Sequence, residues 1–234
     1  MSTDKLVVPP GKKTGCLPRK SMMGGVCSLF SEKLAIIPVA EWPSLLGNIE
    51  LRSCVTKIKD QNGFGSCATE STTQSMEIVR KLEGQEWVEL NPLFIYHTTS
   101  GGRDQGSSID TNLEFARDYG IAPESVWPRS KGFTAKPSAD AVEAAMAYRI
   151  MEFYDIASIS EAGTALLLGF PVVFGWQGHS CVLVQLLSTT KALYANSWGN
   201  WGDQGFGTIN LSSINFGYGM FALRTATINT KVDP

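Results

Sequence analysis

Only two of the 234 residues are histidine, His97 and His179, so any chemistry that needs an imidazole must draw on one of them. The five cysteines, at 16, 27, 54, 67 and 181, are odd in number and irregularly spaced. That excludes a disulfide framework using every thiol and leaves at least one free. No group of His, Cys and Asp has metal-ligand spacing, so neither a metal nor a cofactor is expected, and Cys181, two residues past His179, reads as a strand residue. Gly11-Lys12-Lys13-Thr14 echoes the end of a phosphate-binding loop but has no spaced glycines and no strand before it. Long apolar runs are also missing: the stretch from Ala165 to Phe174 is too short to span a bilayer. So is an excess of charge. Twenty Lys and Arg against 22 Asp and Glu leave a net charge of −2, with no long run of either sign, which argues against nucleic-acid and membrane partners. The opening MSTDKLVVPPGKKTG lacks the apolar core of a secretory signal, giving the expectation of a cytoplasmic or virion-associated protein. No internal repeat is present.

What is present suffices for a real core: 43% of residues are hydrophobic and 18% charged, in a chain long enough for one large domain or two lobes sharing a cleft. Residues 1–50 read as an extended arm, first rich in Pro, Gly and Lys, then apolar but broken by Pro38 and Pro43 between Val26 and Leu46. The expectation for that second stretch is coil and short turns lying across a surface. An ordered arm has to dock on its own domain or on a partner, such as a virion or another assembly. Residues 51–234 read as the main domain, with a helical lobe over about 60–150 and a β lobe over about 151–230. Helical patterns cover Ser66 to Leu82 (Met76, Val79 and Leu82 on one face), a start at Asn91-Pro92, Thr111 to Tyr119, Pro137 to Ala147 and Ser160 to Leu168. Short β-compatible runs follow at 171–174, 180–187, 192–196, 205–210 and 219–226. Helices first and strands later predict α+β with segregated lobes.

Cys67 closes the loop Asp60-Gln61-Asn62-Gly63-Phe64-Gly65-Ser66-Cys67 and opens the first long helix. Unpaired amides and the positive end of the helix dipole favour a thiolate there and predict a lowered pKa. Gln61, six residues earlier, supplies an amide donor that with the Cys67 N–H could form an oxyanion hole. His97 lies in a helical stretch and reads as a helix-surface or satisfied core histidine. His179 follows Gly178 at the entrance of a strand, where it can face a cleft. Asn196, 17 residues later at a strand end, can hold the second ring nitrogen of an imidazole base. Trp198 reads as a core tryptophan that also covers that hydrogen bond. Asp104 and Asp110 flank a Gly-Ser loop and read as solvated turn residues.

The order Gln-x5-Cys, Gly-His, Asn-Ser-Trp-Gly, together with Val55 to Gln61 and Tyr119 to Pro128, resembles the papain-like cysteine peptidases over roughly residues 55–223. The resemblance implies a papain-like two-lobe fold, one lobe helical and one barrel-like in β-structure, with the active-site cleft between them and a peptide or protein as substrate. By position it implies Cys67 as nucleophile, His179 as base, Asn196 as its orienting residue and Gln61 as oxyanion donor, with Ser197 and Trp198 as the shield over the asparagine. The sequence departs from the family's Cys-Gly-Ser/Ala-Cys-Trp/Tyr signature, reading Phe64-Gly65-Ser66-Cys67-Ala68. His179 and Asn196 follow Cys67 by 112 and 129 residues, below the roughly 130–150 typical of the family. The shortfall, largely between Pro171 and His179, predicts a reduced cleft wall. The first fifty residues are short for the long inhibitory pro-region of lysosomal members, which implies a bacterial or phage-type branch without zymogen control. Two other readings fit the same residues: a papain-like structural or interaction protein, for example a phage particle component, and a cysteine amidase or acyl transferase acting on cell-wall peptides.

Overall fold

The computed structural model describes residues 4–226; residues 1–3 of the expected arm and 227–234 of the expected main domain lie outside the described residues. In chain order the elements begin with β1 (Cys16–Leu17), α1 (Phe30–Lys33), α2 (Trp42–Leu45), α3 (Cys67–Leu82) and α4 (Pro92–Thr99). They continue with β2 (Ser107–Ser108), α5 (Ile109–Asp118), α6 (Ala139–Ala145), β3 (Ile150–Asp155) and α7 (Ile159–Leu167). The last are β4 (Val172–Trp176), β5 (His179–Leu186), β6 (Lys191–Ala195), β7 (Phe206–Asn210) and β8 (Met220–Ala226). Among the described residues, and apart from the two-residue strands β1 and β2, six of the seven α-helices precede the strands, and α7 falls between β3 and β4, which is the α+β arrangement. The late strands form one antiparallel sheet in the order β3-β8-β4-β5-β6-β7.

The central helix α3 is buried along almost its whole length, Cys67 to Arg80, because α4 and α5 pack on one side and strands β5 and β8 on the other. Met76 and Val79 lie in the core, whereas Leu82, expected on the same face, is 45% exposed where the helix runs out of cover. So deep a helix made largely of Ser, Thr and Gln needs its hydroxyls bonded. Thr69, Ser71, Thr72 and Ser75 each donate to a carbonyl three or four residues back. Ser71 Oγ also meets Ser180 Oγ at 2.6 Å, tying α3 to β5.

The stretch from Val26 to Leu46, expected as coil and short turns, also holds the one-turn helices α1 and α2, with Pro43 in the first turn of α2 where its missing N–H costs nothing, and it does not merely cross a surface. Phe30 and Trp42 are fully buried and plug the outer face of the sheet with Tyr154, Leu166 and Phe174. Trp42 Nε1 donates to the Ile37 carbonyl at 3.1 Å, which satisfies the one polar atom of a buried indole. Trp42→Ala is expected to cost about 3–5 kcal/mol of stability by opening a cavity there, read as a lower midpoint in urea unfolding. Strand β3 was not legible in the sequence. Its pairing with β8 is interrupted by two register shifts, and the bulges break the alternation that marks a strand.

Candidate active site

Cys67 is the first residue of α3, with Ser66 as its N-cap. The loop before it is fixed by two ion pairs, one buried and one partly buried. Lys59 Nζ lies 2.7 Å from Glu77 Oε1 with both side chains nearly inaccessible, and the Leu90 amide donates to the same oxygen at 2.8 Å. Arg129 clasps Glu70 on α3 through both terminal nitrogens, at 2.9 and 2.8 Å, and also donates to the Asp60 carbonyl. Buried charges survive only when paired and hydrogen-bonded in this way. Their effect is to hold Asp60-Gln61 in fixed position over the start of α3.

His179 is positioned from the other side. Strands β4 and β5 pair Trp176 with His179 around the two residues Gln177 and Gly178, both with positive φ (47° and 77°). That is a two-residue hairpin of the kind with left-handed backbone at both positions, which favours glycine at the second. It explains the short spacing after Pro171: the hairpin turns as tightly as a hairpin can.

The hydrogen bonds around Asn196 settle the histidine tautomer. Asn196 Oδ1 accepts the backbone N–H of Ser197 at 2.7 Å, so this atom is the carbonyl oxygen. It also meets His179 Nε2 at 2.7 Å, and Nε2 must therefore carry the proton. Nδ1 is left bare and has no hydrogen-bond partner, the state a general base requires. The imidazole is stacked on Trp198, ring centroids 4.2 Å apart and 21° from parallel. Ser197 Oγ donates to Gln61 Oε1 at 2.8 Å, and the Gln61 amide donates to the Ser197 carbonyl. With Oε1 so engaged, Gln61 Nε2 is aimed into the cleft. Gln61, His179, Asn196, Ser197 and Trp198 thus form one connected group. Cys67 lies beside it, its sulfur against the backbone amides of Ser180, Ala68 and Gly15, with no hydrogen bond to His179 among the described residues.

The presence of Gly15 in that set shows where the arm goes. It does not leave the domain; it runs through the cleft. The Lys13 carbonyl accepts from Gln61 Nε2 at 3.1 Å and from Trp198 Nε1 at 3.3 Å. The Gly15 and Cys16 amides both donate to the Gly178 carbonyl, at 3.0 and 2.8 Å, and the Ser107 amide donates to the Gly15 carbonyl at 2.9 Å. β1 then pairs in parallel with β2. Gly15 passes so close that a Cβ on it would stand 2.0 Å from the Gly65 carbonyl oxygen. Outside the cleft, Arg19 pairs with the buried Asp155 at 2.6 Å, and Asp110 accepts from the Lys20 amide, the Ser21 amide and the Ser21 hydroxyl. Crossing the cleft takes only residues 11–17, about 23 Å of extended chain, so a short arm reaches.

Burial under the arm governs the electrostatics. Cys67 and His179 are 0% and 1% exposed. The thiol is pushed up to about 11, chiefly by desolvation, which the amides of Ser180, Gly15 and Ala68 only partly oppose. This reverses the lowered pKa expected at a helix start: loss of water outweighs the helix terminus. Burial likewise pushes His179 down to about 4, with the Asn196 hydrogen bond opposing. Both groups are held neutral in the closed form. Acid is expected to loosen that form. A histidine whose pKa falls from 6.5 to about 4 on closure weighs against closure increasingly as pH drops through that window. Asp104, held below its usual range by hydrogen bonds from Lys13, Gly65 and Tyr96 against an opposing desolvation, adds stability to the closed form above its ordinary pKa and loses it as pH falls through the lowered one. The expected result is faster alkylation of Cys67 at pH 4.5 than its thiolate fraction accounts for, relative to pH 7, measured with a thiol reagent.

Other residues fall out differently. His97 Nδ1 meets the Phe133 carbonyl at 2.8 Å, the satisfied histidine expected. Asp110 is buried, not a solvated turn residue, and Asp104 accepts from Gly65 N, Tyr96 Oη and Lys13 Nζ. Both serve the arm, a long-range role that local sequence does not announce. Cys181 lies 3.7 Å from Asn196 Oδ1, next to the site. Its place two residues past His179 on one strand already put it on the same face. No group of His, Cys, Asp and Glu among the described residues is arranged to hold a metal ion, and none of their helices is long and apolar enough to cross a membrane.

The fold is that of the papain-like cysteine proteases. The chain is similar to xylellain, a cysteine protease from Xylella fastidiosa, with a TM-score of 0.71 and 20% identity over 94% of this chain and 99% of that one. Procathepsin L 3 from the Tenebrio molitor larval midgut gives 0.62 and 18%, over 77% and 69% of the two chains. Procathepsin B S9 from Trypanosoma congolense gives 0.62 and 17%, over 92% and 87%. No family model matches the sequence, and no curated protein matches it.

Proposed function

We propose that the protein is a cysteine peptidase whose cleft is closed by its own N-terminal arm. The observation that carries the reading is the forced tautomer of His179: Asn196 Oδ1 accepts the hydrogen bond from Nε2–H and Nδ1 is left bare, in the group beside which Cys67 lies. In the open form, Nδ1 takes the Cys67 proton and the sulfur attacks the carbonyl carbon of a peptide bond. Gln61 Nε2, already engaged with a peptide carbonyl in the closed form, holds the oxygen as it becomes negative. The leaving amine takes the proton from His179, and water, activated by the same nitrogen, releases the acyl group from sulfur.

The test is active-site labelling of the full chain with an epoxysuccinyl inhibitor, followed by digestion of a peptide library. One adduct, mapped to Cys67, and library cleavage are expected; no adduct and no cleavage after the arm has been dislodged would sink the reading. The filled cleft favours one other reading, a papain-like interaction protein in which the arm is permanent structure. It predicts that Cys67 stays unlabelled until the protein unfolds.

A further inference from the structure

The arm is a length of peptide bound in the cleft, and its side chains report what the cleft walls accept. Lys12 Nζ lies 2.6 Å from Asp60 Oδ1 and Lys13 Nζ 2.7 Å from Asp104 Oδ2. The carbonyl that Gln61 Nε2 holds is that of Lys13 itself, and Lys12 is the residue before it. Asp60 precedes Gln61 in the chain, while Asp104 Oδ1 is tied to the Gly65 amide at 2.7 Å and to Tyr96 Oη at 2.9 Å. That leaves Oδ2 facing the cleft. The neighbouring charges are committed elsewhere: Lys57 to Glu89, Lys59 to Glu77, and Arg129 to Glu70 and Glu124. Asp60 and Asp104 have no basic partner among the described residues except the arm. When the arm leaves, two carboxylates lose the counter-charges it supplies. An open hollow of about 260 Å³ adjoins Asp60, with room for a side chain as long as arginine.

We infer that Asp60 and Asp104 are specificity residues, selecting peptides with lysine or arginine close to the bond that is cut. The inference rests on the peptidase reading and names its substrate class. The selection works through charge at the tip of a long flexible side chain, so it does not require the substrate to run in the direction of the arm. Salt screens such contacts, and the preference is expected to weaken as ionic strength rises.

Binding tests this separately from catalysis. A full-length Gly15→Val, Cys67→Ala variant, with its arm dislodged and its nucleophile gone, is titrated calorimetrically with two hexapeptides. One is Pro-Gly-Lys-Lys-Thr-Gly and the other carries glutamine at both lysine positions. The lysine peptide is expected to bind at least about threefold tighter, the size of two partly exposed ion pairs. The ratio should fall toward one in 0.5 M salt (roughly a 4 Å screening length) and with Asp104→Asn or Asp60→Asn. Asp104→Lys should reverse it in favour of a glutamate peptide. Because the readout is a ratio measured on one protein, a loss of folded material cancels. Equal affinities, or no binding of either peptide, overturn the inference. Absence of cleavage by Gly15→Val with Cys67 intact is the separate result that would overturn the peptidase reading.

Discussion

Cys67→Ala and His179→Ala, each placed in a Gly15→Val background that opens the cleft, are expected to lower peptide cleavage by about 10⁴-fold or more, and the double variant by no more than either alone. The reason is that, in the peptidase we propose, the two side chains act as one unit. His179 Nδ1 is the bare nitrogen of an imidazole whose other nitrogen is fixed to Asn196 Oδ1, and without it nothing near the sulfur accepts a proton. Without the sulfur, the imidazole has only water to activate. The residual rate should reflect Gln61 and binding alone. Steady-state cleavage of a library-selected peptide measures all three variants. Additive losses would mean that Cys67 and His179 are not a coupled pair and that the nucleophile lies elsewhere, Cys181 being the next thiol in reach.

Gly15→Val is expected to have the opposite sign. A Cβ at residue 15 would sit 2.0 Å from the Gly65 carbonyl oxygen, 2.5 Å from its carbon and 2.6 Å from its Cα. All three are backbone atoms at the start of the buried helix α3, and they cannot yield as a flexible side chain would. The arm can yield. Overpacking of this kind costs about 1–3 kcal/mol, which raises the open population about 5- to 150-fold. The rate of Cys67 alkylation, read by mass spectrometry, should rise by that factor, with peptidase activity following it. Released from cover, the thiol should also titrate below the value of about 11 that burial imposes, and His179 above its value of about 4. The steepest gain is therefore expected near neutral pH. If alkylation does not accelerate, the arm is not what shields Cys67.

The main fold was legible because it rests on local signals. Helix α3 has a clear start at Ser66-Cys67. Gly178 marks the β4–β5 hairpin, and the ladders through β7 and β8 follow from short apolar runs between turns. The site was legible in its membership for a similar reason, since few residue types can fill the roles and the sequence holds few of them. With two histidines, one already in a helical stretch, the candidate for the base was nearly chosen by scarcity. Strand β3 and the burial of Trp42 were not legible, because one depends on bulges and the other on what the rest of the sheet leaves uncovered. The roles of Asp104 and Asp110 were hidden likewise. Each meets a partner about ninety residues away, and a carboxylate in a Gly-Ser loop looks the same whether water or a lysine faces it.

The sequence by itself determined the α+β order, the candidate group Gln61, Cys67, His179 and Asn196, and the place of the histidine at a strand entrance after Gly178. Those are properties of short windows and of residue chemistry. Only the tertiary structure decided the protonation of that group and its accessibility. The chain path that lays Lys13 and Gly15 over the sulfur removes water from Cys67 and His179, and desolvation then outweighs the helix terminus that would have favoured a thiolate. A pKa is set by everything around a group, and here the deciding neighbour comes from more than fifty residues upstream.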